Sequence, residues 1–321
     1  MKKVLVVGKV CEEAIDLLRA RADIEIAQAP DGPSESFADK VPGISAILLR
    51  TSMFGRELIA SAPDLEVVSR HGVGYDNVDV EALNERGIPL AVSATANNIS
   101  VAEHALFMML ELAKAGRPHD AAIRANNWSI RLQTRAIELS GSTLLLVGFG
   151  RIGKAVAPRA LALGMTVLVR DPYVNDAIIR AAGCVPAEDL ESGLRQADIV
   201  SLHLPLDAGT RNMIDEAALV SMKPGAMLIN TARGGLVDEH ALARALRAGT
   251  IRSAALDVLL EEPPPADHPL LDIDNVLLSP HSAGVTQQSM LRMGTEAAQN
   301  ILDILDGRRD PGVIVNYERI G

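Results

Sequence analysis

Short aliphatic runs punctuate the chain at regular intervals. Those at 3–7 (KVLVV), 45–49 (SAILL), 66–69 (EVVS) and 89–92 (PLAV) read as buried strands. Helical spacing separates them: over 10–21, Ile15, Leu18 and Ala22 share one face, and further helical patterns cover 55–62 and 79–86. Strand-helix alternation predicts a parallel sheet with crossover helices. The stretch 99–113 (ISVAEHALFMMLELA) is apolar nearly all round, which predicts a helix buried between layers and a change of domain. A second round of alternation follows, with strands expected at 143–147, 165–169, 198–202, 226–230, 253–257 and 275–278. A last helical pattern, 287–306, comes after the final strand, where it can return to the first domain. The fold class is therefore α/β, with two Rossmann-like or flavodoxin-like parallel-sheet domains and a cleft between them.

Composition narrows the picture. At 321 residues and 48% hydrophobic, the chain can fill two cores, yet it has only four Phe, three Tyr and one Trp. Those cores must be aliphatic, as buried parallel strands require. A net charge of -10 argues against nucleic-acid binding but not against a small anion met by clustered arginines. Cys11 and Cys184 share no metal-ligand spacing, so no metal is expected and a reducing compartment fits. The opening MKKVLVVGKV breaks at Gly8-Lys9, too early for a leader, and reads as a first strand. No segment is apolar enough to span a bilayer. A cytoplasmic protein without membrane contact is expected.

The stretch TLLLVGFGRIGKAVAPRALALGMTVLVRDP (143–172) carries a stronger signal. Gly148, Gly150 and Gly153 form G-x-G-x-x-G between a strand and a helix. Gly148 would allow the tight turn, Gly150 the approach of a pyrophosphate, and Gly153 close helix-strand packing. The helix N-terminus offers amides and a positive dipole to the phosphates. Asp171, eighteen residues beyond Gly153, can accept both ribose hydroxyls and repel a 2′-phosphate, which favours NAD; adjacent Arg170 could greet that phosphate instead. Gly72-Val73-Gly74 lacks the third glycine and is not read as a second such site.

Three polar residues follow strands in the second half. Arg233 precedes Gly234-Gly235, where the chain is expected to turn sharply; Glu262 follows AALDVLLE; His281 follows NVLLSP. Ligands bind outside the carboxyl ends of parallel strands, so the three could share one crevice. Arginine offers a bidentate fork for a carboxylate, histidine acid-base chemistry at neutral pH, and a glutamate could hold the ring's second nitrogen. Singly, each could equally be a solvated loop residue.

Together with these, HLPL (203–206), KPGAMLINTARGGLVDE (223–239), ALDV (255–258), EEPP, SPHSAG, RHGVGYDNVD (70–79) and SVAEHAL (100–106) run in order over nearly the whole chain. The sequence so resembles the D-isomer-specific 2-hydroxyacid dehydrogenases. That resemblance implies NAD-dependent oxidoreduction at a CH-OH group, with Arg233, Glu262 and His281 catalytic. It implies NAD contacts at Gly148, Gly150, Arg151, Ile152, Gly153, Asp171, His203, Pro205, Thr210, Thr231, Ala232 and Asp257, the last to the nicotinamide amide. It also implies carboxylate binding by the backbone of Val73 and Gly74, with Asn97 beside the substrate. Residues 1–97 and 288–321 would form the substrate domain, 98–287 the NAD domain, and homodimers would pack through the latter. Leu259 stands where the family commonly has an aromatic, and Leu145 where it has glycine.

Arg50 and Arg70 both end first-domain strands. Relatives resembling short-form 3-phosphoglycerate dehydrogenase place arginines there, which implies a small hydroxy or keto acid with a second anionic group. Many relatives of other specificity also carry Arg70. Reduction of glyoxylate or hydroxypyruvate is the alternative, and a non-enzymatic NAD-sensing corepressor a further one. Ending at Gly321, the sequence is not expected to carry a serine-sensing regulatory domain.

Overall fold

The structure, a computed structural model, describes residues 1–133 and 136–320. It divides into two compact units, 1–97 with 285–321, and 98–284. The first unit resumes at 285 rather than at the expected 288. Thr286 caps the closing helix Gln287–Leu305 with a reciprocal capping box to Ser289, so this lead-in already belongs to that helix.

In the first unit, strands β1 (Lys2–Val7), β2 (Ile24–Ala29), β3 (Ala46–Leu49), β4 (Val67–Arg70) and β5 (Leu90–Val92) form one sheet in the order β2-β1-β3-β4-β5. All neighbours are parallel, in the flavodoxin-like order. β3 and β4 are buried along their whole length, as sheets covered on both faces must be. One cover is the Gln287–Leu305 helix, which buries Ala297, Ala298 and Ile301 against Val4, Leu48 and Val67. Ser69 Oγ donates to Ala297 O and Ser93 Oγ to Met293 O, so this return segment is bonded as well as packed.

The first helix spans only Glu12–Arg19, and Ala22, expected on its buried face, lies beyond it and is exposed. β2 escaped the sequence pattern. It is an edge strand with a single partner, and its polar Glu25 and Gln28 dilute the apolar signal.

The second unit contains β6 (Thr143–Val147), β7 (Thr166–Arg170), β8 (Val185–Pro186), β9 (Ile199–Leu202), β10 (Met227–Asn230), β11 (Ser253–Leu256) and β12 (Val276–Leu278). They run parallel in the order β12-β11-β10-β9-β6-β7-β8. The order reverses between β6 and β9, the switch point at which such sheets bind ligands. Leu145 packs where a Cβ on Gly193 would stand, so the departure at 145 is met by a glycine opposite.

The helix Asn98–Lys114 differs from expectation. Ala102, Ala105, Met108 and Met109 are buried, but Phe107 is 51% exposed and Ile99 and Leu110 are exposed too. The sheet covers only one of its faces, and the opposite apolar face lies open. Among the described residues no helix is long and apolar enough to cross a membrane, and no cluster of His, Cys, Asp or Glu could hold a metal.

Candidate active site

The glycine cradle opens directly after β6. Gly148 adopts φ +96°, a conformation that favours glycine, and a Cβ there would overlap the carbonyl of His203 across the switch point. A Cβ on Gly153 would likewise overlap Gly148 O, so this glycine lets the helix Arg151–Ala162 pack against its own entry turn. Gly150 caps that helix, and no atom lies within 4 Å of where its Cβ would be. The helix N-terminus therefore faces open space. Exposed Arg151 starts the helix, and Ile152 packs on the core below.

Asp171 follows β7. Its Oδ2 accepts the amide of Phe149 (2.7 Å) and its Oδ1 that of Tyr173 (2.9 Å). The carboxylate is thus tied to the glycine turn, with further lone pairs on each oxygen for ribose hydroxyls. Arg170 Nη1 donates to Glu188 O instead. After β9, His203 is buried with Nε2 on Ser201 Oγ, and burial pushes its pKa down to about 4, so the ring is neutral. Thr210 Oγ1 donates to Pro205 O, fixing the loop that carries both. After β10, Thr231 and Ala232 are buried. His203 Nδ1 and Thr231 Oγ1 are buried without a hydrogen-bond partner among the described residues. Orphaned polar atoms beside an open, amide-rich cradle fit a dinucleotide.

Arg233 stands in extended backbone (φ -146°) before a 3-10 turn, Gly234–Leu236. The chain turns there as expected, but neither Gly234 nor Gly235 has positive φ. Space is the reason for both. A Cβ on Gly234 would overlap the backbone of Leu259 and Leu260, and one on Gly235 would press on Leu206. Asn230, fully buried at the end of β10, accepts Ala232 N and donates to Arg233 O, so it sets the turn that presents the guanidinium. Its only outward sign was a polar residue closing an apolar strand.

Glu262 and His281 meet directly, with Glu262 Oε2 2.7 Å from His281 Nδ1. Glu262 Oε1 accepts Leu259 N, so the carboxylate also bonds its own loop. The Glu262 hydrogen bond raises the imidazole pKa, burial works against it, and nearby Asp257 adds to the rise while Arg233 lowers it. For Glu262, burial pushes the pKa up, but the bonds from His281 and Leu259 outweigh it and hold the carboxyl below its ordinary range. With Nδ1–H bound to the carboxylate, the neutral ring presents Nε2 as a base.

His281 itself lies at φ +50°, rare for a side chain other than glycine and strained. Asp257, expected to meet the nicotinamide amide, is 1% exposed and holds this loop. Its Oδ1 accepts Ser279 Oγ and Ser282 N, its Oδ2 accepts Ala283 N, and its own carbonyl accepts His281 N at 2.7 Å. His104 Nε2 lies 3.1 Å from Ser279 Oγ and extends the network. Sequence reasoning missed His104 and the bond of Ser279 to Asp257 because these partners are distant in the chain.

The remaining site residues belong to the first unit. Arg70 is nearly buried: its Nε donates to Gly74 O and its Nη1 to Leu49 O. It straps the 72–74 loop, in which Gly72 has φ +143°. Arg50 stands 3.5 Å from Asp31, whose Oδ1 accepts Thr51 N. Val73 and Gly74 are half-buried, and Asn97 Oδ1 is buried without a hydrogen-bond partner among the described residues.

Sheet order, the glycine cradle and the carboxylate bonded to it mark the second unit as a dinucleotide-binding α/β unit. Residues 106–283 match the model of the D-isomer specific 2-hydroxyacid dehydrogenase NAD binding domain. The chain is 38% identical, over 100% of its length, to the D-3-phosphoglycerate dehydrogenase of Methanocaldococcus jannaschii, and spans 62% of that relative. A Thermus thermophilus crystal structure superposes with a TM-score of 0.87 at 35% identity, covering 98% of this chain and 99% of that one. A glyoxylate reductase from Paecilomyes thermophila does so at 0.88 and 30%, covering 99% of each. The chain belongs to the D-isomer specific 2-hydroxyacid dehydrogenase family, and the second unit is its NAD-binding domain.

Proposed function

We propose that the protein is an NAD-dependent D-2-hydroxyacid dehydrogenase acting on a small hydroxy or keto acid. The observation that carries this reading is the 2.7 Å bond between His281 and Glu262, on loops that follow parallel strands of an NAD-binding sheet. When bound, NAD supplies the hydride acceptor or donor. His281 Nε2 takes the hydroxyl proton in oxidation and returns it in reduction. Glu262 keeps Nδ1 protonated and stabilises the imidazolium formed. Arg233 holds the substrate carboxylate and draws electron density from C2 through the carbonyl oxygen. In the first unit, the Val73-Gly74 backbone and Asn97 contribute to carboxylate binding, and residues 1–97 with 285–321 act as the substrate domain.

Arg50 supports a substrate with a second anionic group, as in 3-phosphoglycerate. The proximity of Asp31, and the bonds of Arg70 to two carbonyls, favour the second reading, reduction of glyoxylate or hydroxypyruvate. NADH consumption with a panel of 2-keto acids, phosphorylated and not, tests both. Turnover with none of them would sink the enzymatic reading.

The exposed apolar face of the Asn98–Lys114 helix, together with exposed Ile123, Trp128 and Leu132, supports a homodimer through the NAD-binding unit. Light scattering tests this, with a monomeric mass as the contrary result.

A further inference from the structure

We infer that Glu239 and His268 form a buried positioning pair that aims the carboxylate of Glu262. The inference rests on the roles proposed above for Glu262 and His281, and the reaction as derived there uses neither member of the pair.

Glu239 is the first residue of the helix Glu239–Ala248 and is only 8% exposed. A carboxylate in such a place is strongly disfavoured unless it is bonded on every side. The helix N-terminus favours its charge. Its Oε1 accepts the amide of Leu260 at 2.7 Å, and its Oε2 lies 2.9 Å from Nε2 of His268, itself buried. Leu270 N donates to His268 Nδ1, so the ring proton sits on Nε2 and points at Glu239. The pair bonds outward on both sides, His268 to the backbone at Leu270 and Glu239 to the backbone at Leu260.

That connection reaches the site. Leu260 lies two residues before Glu262, and its side chain is 64% exposed, so packing from the solvent side cannot hold the loop. It is held from beneath, by the Glu239 carboxylate and by the close seat of Leu259 and Leu260 on Gly234. Glu262 divides its two oxygens between Leu259 N and His281 Nδ1. Where the 259–260 backbone rests therefore decides where the second oxygen points. The charged groups facing His281 are Glu262, Asp257 and Arg233, and among these Glu262 is the one the pair controls.

The test uses the full chain and follows the ring signals of His281 by NMR through a pH titration, assigned by their loss in His281→Asn. Removing the anchor in Glu239→Ala should let the loop shift and move the His281 midpoint down, towards an ordinary imidazole. Glu239→Gln, whose amide oxygen still accepts Leu260 N but whose NH2 faces the Nε2–H of His268, should restore only part of the shift. His268→Ala should move the midpoint in the same direction as Glu239→Ala. In the same variants the pH limit of keto-acid reduction should move with it, and turnover should fall on the order of ten- to a hundredfold. NADH affinity should hold. A folded Glu239→Ala protein with an unmoved His281 midpoint overturns the inference. Should that variant fail to fold, an unmoved midpoint in His268→Ala overturns it equally. Absence of turnover in the unaltered protein would refute the proposed activity alone, because the titration still decides the positioning role.

Discussion

The loops that carry the candidate site residues are tied differently in the two units. In the NAD-binding unit carboxylates collect backbone amides: Asp171 takes those of Phe149 and Tyr173, Asp257 those of Ser282 and Ala283, and Glu262 that of Leu259. In the first unit Arg70 binds the carbonyls of Gly74 and Leu49, while Asp31 takes the amide of Thr51 beside Arg50. A carboxylate that fixes a loop can still present a lone pair to a neighbour, as Glu262 does to His281. A guanidinium that straps two carbonyls has spent much of its donor fork. The proposed acid-base pair therefore lies in the second unit, and the arginine that straps the 72–74 loop of the first is already bonded to two carbonyls.

The sharpest break in this comparison would come from His281→Ala. Turnover should fall by roughly a hundredfold or more, measured as steady-state kcat with NADH and the best keto acid. Near-normal kcat would mean that the proton passes through another group. Next in size is Gly234→Ala. The added methyl would drive the Leu259-Leu260 backbone from its seat, and a loss of about tenfold to a hundredfold in kcat is expected for a misplaced Glu262. An unchanged kcat in a folded variant would show that the loop's position does not matter.

Glu262→Gln addresses the pH dependence. The folded-state pKa of His281 is raised above its unfolded value, so the protonated form, needed for keto-acid reduction, persists below that raised pKa and is lost as pH rises through it. Removing the Glu262 charge should move the falling limb to lower pH, and a limb that stays in place would exclude Glu262 as the cause. Asp171→Ala should then narrow the preference for NADH over NADPH by about tenfold, on the scale of one lost charged hydrogen-bonding partner. The readout is the ratio of kcat/KM for the two cofactors, and an unaltered ratio would remove Asp171 from the ribose site. The smallest effect is expected at Arg50, already beside Asp31. Arg50→Ala should weaken kcat/KM for a phosphorylated keto acid severalfold more than for glyoxylate, as expected for one partly screened charge. Equal losses on both would detach Arg50 from specificity.

Legibility followed the range of each interaction. Gly148, Gly150, Gly153 and Asp171 lie within one strand-helix-strand unit, so spacing alone singled them out. Arg233, Glu262 and His281 were visible because each follows an apolar run. The depth of Asp257 was not visible, because its partners lie 22 to 26 residues away and are brought to it only by adjacent β11 and β12. The same holds for Gly234, whose purpose is a neighbouring loop and not its own torsion angles. The helix Asn98–Lys114 misled for another reason: hydrophobicity reports what must be covered, but not whether this chain or a second one covers it.

The first unit is completed by residues from both ends of the chain, and this has a consequence for synthesis. Its five strands precede the insert, yet the face carrying Val4, Ala46, Leu48 and Val67, on which Ala14, Ile15 and Leu18 also pack, is only partly covered until the Gln287–Leu305 helix is made. The intervening 98–284 unit draws its sheet and core from its own contiguous stretch and can fold in the meantime. At ordinary elongation rates of about 5–20 residues per second, residues 1–97 wait roughly ten seconds or more with part of that apolar surface exposed. Chaperone dependence and premature-stop sensitivity should therefore concentrate on residues 1–97, not on the larger 98–284 insert.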